Sequence, residues 1–164
     1  MRRLRKREIT VGRFASETSV SRAQSLDEIE RTLTRYGADG FAYGWEGSKA
    51  MVQFQAFGRR VRFLIDMPDR NDPEFTHTPS RGTERSPEAA VKAWEQAQRQ
   101  RWRALALVVK AKLEAVETGI TTFEEEFMAH IVLPNGRTVG QEALPMIAKT
   151  YETGKMQPLL PAPK

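Results

Sequence analysis

The sequence contains no cysteine. That absence excludes disulfides, thiolate metal ligands and cysteine nucleophiles together, and it fits a reducing cytoplasm. Histidine is scarce as well: only His77 and His130 occur, far apart along the chain, which argues against an imidazole-based zinc site. No G-x-S-x-G, no P-loop and no G-x-G-x-x-G is present, so the common serine-hydrolase and nucleotide-binding signatures are missing. No apolar run approaches the roughly 20 residues that a membrane-spanning helix needs. The basic start, MRRLRKRE, is not followed by a hydrophobic segment, so the sequence predicts neither a secretory signal nor a membrane association.

What is present is a moderately apolar, basic chain. Its 164 residues are 40% hydrophobic and 29% charged, with a net charge of +5, enough for one globular domain with a core of its own. The charge is unevenly placed. Arg2, Arg3, Arg5, Lys6 and Arg7 stand against Glu8 alone, so most of the excess lies in a short arm. Residues 1–17 are expected to be flexible and 18–157 to form a single domain. Residues 158–164 form a proline-rich tail.

Patterning along the chain predicts an α+β fold. Thr18–Ser21 has the composition of a short edge strand. Ser25-Leu26-Asp27-Glu28 matches a capping box, and Leu26, Ile29 and Leu33 then form the buried stripe of a helix ending at Gly37. Three short strands follow: one with alternating Phe41, Tyr43 and Trp45, one over Met51–Phe57, and one over Val61–Ile65. Glu46-Gly47-Ser48 and Gly58-Arg59-Arg60 are the expected turns, the signature of an antiparallel meander. Residues 69–85 lack periodicity and predict a long exposed loop. Ser86 and Pro87 then open a long helix whose stripe runs through Val91, Trp94, Gln98, Trp102, Leu105, Val109 (or Val108), Leu113 and Val116. Lys92, Arg99, Arg103 and Lys110 fall together on the opposite side. Gly119 is a C-cap signal. A short helix capped by Thr121 or Thr122 comes next, its first turn holding Glu124, Glu125 and Glu126. An Asn135-Gly136 hairpin and a last helix from about Gln141 to Thr153 complete the chain. The expected architecture is a three-stranded meander packed on a long helix, with a C-terminal helix, hairpin and helix appended.

Catalytic chemistry finds little support in these residues. A helix, three strands and a helix also form the core of many metal-dependent nucleases, but Asp69 runs into a loop and Glu46-Gly47-Ser48-Lys49 has the wrong spacing and position for the acidic pair and lysine. The Glu124–Glu126 run suits the positive end of a helix. No catalytic, metal or cofactor site is therefore assigned. What remains is a basic surface: Arg59, Arg60 and Arg62 at the second turn, Arg81 in the loop, and Arg99, Arg103 and Lys110 on the long helix. Tyr43 and Trp45 lie nearby on the first strand. Cations beside aromatics are what single-stranded nucleic acid needs for phosphate neutralisation and base stacking. Trp94 and Trp102, on the apolar stripe, read as core instead, and Tyr43 and Trp45 share a strand face with Phe41 and can be core too.

The segments ERTLTRYGADGFAYGWEGSKAMVQF, FTHTPSR, AWEQAQRQRWRALALVVKAKLEAVETGITTFEEEF and IVLPNGRTVG resemble a group of small bacteriophage- and prophage-encoded proteins, over about residues 18–160. That resemblance implies a mobile-element setting in a bacterial host and no mechanism. A meander followed by a long helix is also similar in outline to the core of RecT/Erf-like single-strand annealing proteins, without any matched motif. Single-stranded DNA is the expected partner, in recombination or replication, with self-association possible. The alternative is a module that inhibits a host protein, docking through Glu124–Glu126 or the proline-rich tail.

Overall fold

The computed structural model describes residues 14–160, with side chains from residue 22 onward except that of Glu46. Most of the 1–17 arm and the end of the 158–164 tail thus lie outside the described residues.

Helix α1 spans Phe14–Arg35. It passes without interruption through Thr18–Ser21, where a strand was expected, and through Ser25, which is a helix-interior residue and no N-cap. The reason is local: neither glycine nor proline occurs between Gly12 and Gly37, so nothing stops the helix until Gly37 adopts φ +84°. Its 4–3–4 spacing buries Leu26, Ile29 and Leu33 and puts Arg22 on the same stripe, one turn earlier, 5.5 Å above the ring of Trp45.

The sheet is an antiparallel meander, β1 (Gly40–Glu46), β2 (Lys49–Ala56) and β3 (Arg59–Asp66), in the order β1-β2-β3. Its register pairs Tyr43 with Val52 and Phe54 with Val61. Alternation sends Ala50, Val52, Phe54, Ala56, Val61 and Phe63 into the core. The second turn differs from expectation by two residues. It consists of Phe57 and Gly58, both at positive φ, the geometry of a tight hairpin whose twist matches that of the strands. An aromatic residue is strained there, and Phe57 packs its ring on Phe123 at 4.8 Å. Arg59 and Arg60 consequently belong to β3 and point to opposite faces.

Helix α3 (Pro87–Glu117) lies across the core face of the sheet beside α1. Ser86 caps it by accepting from Ala89 N–H, and Trp102, Leu105, Ala106, Val109 and Leu113 are buried. At its end Gly119, at φ +73°, donates to Val116 while Ile120 donates to Ala115. That pair of bonds satisfies two terminal carbonyls. Residues 69–85 are ordered: α2 (Pro73–Thr76) buries Phe75, and the following residues fold back in a narrow loop that bridges His77 to Glu84. The indole of Trp94 donates to the Pro68 carbonyl at 2.8 Å, tying this loop to α3.

The C-terminal part is not wholly an appendage. Thr122 and Glu125 form a reciprocal capping box for α4 (Phe123–Phe127). Phe127 is fully buried, stacked on Phe123 at 4.7 Å and edge-on to Phe54 at 5.8 Å. After a 3-10 turn at Met128–His130, Ile131–Thr138 forms the expected Asn135-Gly136 hairpin and attaches to the outer edge of β3, Val132 donating to the Arg60 carbonyl at 2.8 Å. Helix α5 (Val139–Thr153) contributes only Gly140 to the buried residues. Among the described residues no helix is long and apolar enough to cross a membrane.

Candidate nucleic-acid interface

Helices α1 and α3 run side by side in the same direction. Their N-terminal halves meet where Ser25 and Glu28 face Arg99 and Arg103 across a groove of about 460 Å³. Further along, Arg31 and Arg35 face Lys110 across a second depression of about 420 Å³. Near the C-terminal ends the Tyr36 hydroxyl donates to the Glu114 carboxylate at 2.6 Å, and Arg35 donates to the same hydroxyl at 3.0 Å. The bond to Glu114 holds the phenol above its usual range, with Arg35 opposing.

The predicted cations fall into separate groups. Arg99, Arg103 and Lys110 share one flank of α3, toward α1, together with Lys92. Among the described residues none of these four takes part in an ion pair, whereas Arg31 is engaged by Asp27 at 2.9 Å. Arg60 and Arg62 lie on the opposite side of the molecule, on the sheet face that no described helix covers. Arg62 is largely occupied there, donating to the Gln53 side chain at 3.1 Å and to the Gly136 carbonyl at 2.9 Å. Arg59 points to the helix side and pairs with Glu124 at 3.4 Å. Arg81 sits at the tip of the 77–84 loop. One groove shared by the meander arginines and the α3 arginines is therefore not formed, because Arg59, Arg60 and Arg62 are strand residues and alternate between faces.

Tyr43 and Trp45 are on the core side of the sheet but at its β1 edge, 49% and 69% exposed. Helix α1 separates them from the α3 cations. Trp102 is core, 4% exposed, and its indole N–H has no hydrogen-bond partner among the described residues.

The three glutamates of α4 each have a task. Glu125 closes the cap, and the Thr122 backbone and side-chain bonds it accepts hold its carboxyl below the usual range. Glu126 pairs with Lys112 at 2.8 Å, and Glu124 with Arg59. Of the residues weighed for nuclease chemistry, Lys49 lies 3.6 Å from Asp66 and Asp69 accepts from Asn71. His77 bonds the Thr76 hydroxyl at 2.9 Å. His130 instead stacks on Phe63 at 4.0 Å. Burial, and secondarily Lys112, hold its imidazolium form below the usual histidine range.

Sequence reasoning missed Arg22, Arg31 and Arg35: a helix opened at Ser25 leaves Arg22 outside it, and the period of that helix alone does not show that Arg31 and Arg35 face α3. The Arg22–Leu26–Ile29–Leu33 spacing was the signal that would have found the first of them. Comparison with protein-family models, with curated proteins and with solved structures finds no match to this chain.

Proposed function

We propose that the protein is a non-enzymatic binder of single-stranded nucleic acid that holds the phosphate backbone along the α1–α3 groove. The observation that carries this reading is the row Lys92, Arg99, Arg103 and Lys110 on one flank of α3. At about 1.5 Å rise per residue the row extends over roughly 27 Å. That is a line of cations that forms no ion pair among the described residues, and its length suits an extended phosphate backbone better than a compact ligand. On the opposite wall Arg35 adds a cation, whereas Arg31 is paired with Asp27 and Glu28 lines both depressions. Tyr43 and Trp45 lie beyond α1, so base stacking plays no part in this version of the site. The setting proposed for this binding is the recombination or replication of a mobile element in a bacterial host.

Binding of a fluorescently labelled single-stranded oligonucleotide at about 50 mM salt, where phosphate contacts are strong, tests the reading. The Arg99→Ala/Arg103→Ala variant is expected to lose most of the binding and Arg60→Ala almost none. The opposite pattern moves the interface to the open sheet face and removes this proposal.

A second reading, a docking module for a host protein, is favoured by one observation. Leu144, Ile147 and Tyr151 form an apolar stripe on α5 and are 63%, 38% and 87% exposed. With Glu124–Glu126 engaged internally, α5 takes over as the docking candidate. A single stoichiometric host protein, retained after nuclease treatment and lost in Leu144→Lys, supports this reading.

A further inference from the structure

The sheet has two edges, and they are treated differently. The outer edge of β3 receives the Ile131–Val132 segment. β1 pairs on one side only, with β2, and no described strand pairs on its other side. Strands left at an edge are usually blunted by lysine, proline, a bulge or an inward charge. β1, Gly40-Phe41-Ala42-Tyr43-Gly44-Trp45-Glu46, has none of the first three, and its one charge is at its last position. From Phe41 to Trp45 its pattern reads the same from either end: small residues Ala42 and Gly44 on one face, aromatic residues Phe41, Tyr43 and Trp45 on the other. Two of those aromatics are half to two-thirds exposed.

We propose that β1 is the seam of a homodimer, formed by antiparallel pairing of β1 with β1 of a second copy about a two-fold axis at Tyr43. A two-fold interface must be self-complementary, and this strand is. The axis sets Tyr43 opposite Tyr43 of the second copy, and Phe41 opposite Trp45 of the second copy. Gly44 meets Ala42 on the other face. All helices stay on one side of the resulting six-stranded sheet. A depression of about 260 Å³ lies beside Phe41, bounded by Leu33, Thr34 and Ala38. It is where the second copy's Trp45 arrives in this register, so the most exposed aromatic of β1 meets an open space beside the strand. Pairing would also satisfy the outward N–H and C=O groups of β1.

Sedimentation equilibrium of the full chain is expected to give twice the 18.7 kDa chain mass, and Trp45→Lys, at an exposed site, is expected to give the monomer with an unchanged circular dichroism spectrum. The lack of cysteine makes a second readout clean. Tyr43→Cys should form a disulfide-linked dimer on mild oxidation, because directly opposed residues of an antiparallel pair bring their Cβ atoms to about 5 Å. Gln53→Cys, on β2, should not. A wild-type monomer at micromolar concentration overturns the proposal. So does a dimer that Tyr43→Cys fails to link, or one abolished by Leu144→Lys on α5 but not by Trp45→Lys. Loss of oligonucleotide binding in Arg99→Ala/Arg103→Ala leaves all these outcomes readable, since those residues are remote from β1.

Discussion

The guanidinium of Arg137 donates to the backbone carbonyl of Gln141 at 2.9 Å. That carbonyl would normally accept from residue 145, which is Pro145 and has no N–H. Arg137 therefore supplies from outside the helix the donor that the helix interior lacks, while its Nε holds Glu142 at 3.0 Å. Arg137→Ala should cost about 0.5–1.5 kcal/mol, read as faster amide exchange confined to α5. In a Pro145→Ala background, where residue 145 donates, the same change should cost less. A coupling of about 0.5 kcal/mol or more in this double-mutant cycle is the expected result, and strict additivity would show that the two residues do not compensate.

Phe127 ties α4 into the core, in contact with Phe54, Phe63 and Phe123. Truncation at a fully buried aromatic leaves a cavity, so Phe127→Ala should lower unfolding stability by about 3–5 kcal/mol. Chemical denaturation measures this. A loss below about 1 kcal/mol, typical of surface substitutions, would mean that α4 is the appendage its place in the sequence suggests.

His130 gives the fold a pH dependence with a definite sign. Its folded pKa is lowered by burial, and next by Lys112, against a bond to the Arg62 backbone. The unfolded chain thus takes up a proton at His130 more readily than the folded one as pH falls below histidine's ordinary 6.5. Stability contributed by the neutral ring is present above that value and decreases as pH drops toward the lowered folded pKa. Melting temperature should fall across that window in the wild type and more gently in His130→Gln. Equal slopes in both proteins would assign the acid sensitivity to the carboxylates.

Gly140 sits so close to the 3-10 turn that a Cβ at its position would lie 2.8 Å from the Ala129 carbonyl oxygen. Backbone cannot yield there cheaply, so Gly140→Ala should loosen α5 from Met128–His130 and leave the sheet intact. Raised exchange in α5 alone checks this, and an unchanged exchange profile would show that the turn accommodates the methyl group.

Much of the fold was legible because single residues carried strong local signals. Ser86-Pro87, Gly119, Asn135-Gly136 and the pair Thr121-Thr122 marked boundaries that the structure keeps, and the Trp102–Leu105–Val109–Leu113 stripe named the buried face of α3. The start of α1 was not legible: Ser25 and Glu28 have the right types for a cap, but capping needs a chain break that no residue upstream provides. The site was blurred by one turn. Reading Gly58-Arg59-Arg60 as loop merged three arginines into one patch, whereas strand alternation from Arg59 onward separates them. Which flank of α3 faces α1 depends on tertiary packing and is not written in the period of either helix.

The most direct measurement of the central claim is the salt dependence of binding to a single-stranded oligonucleotide. Four phosphates neutralised by Lys92, Arg99, Arg103 and Lys110 predict that log K falls against log salt with a slope of about −3, and that Arg99→Ala/Arg103→Ala roughly halves it. No binding at about 50 mM salt, or a slope unchanged by that double substitution, would contradict the account.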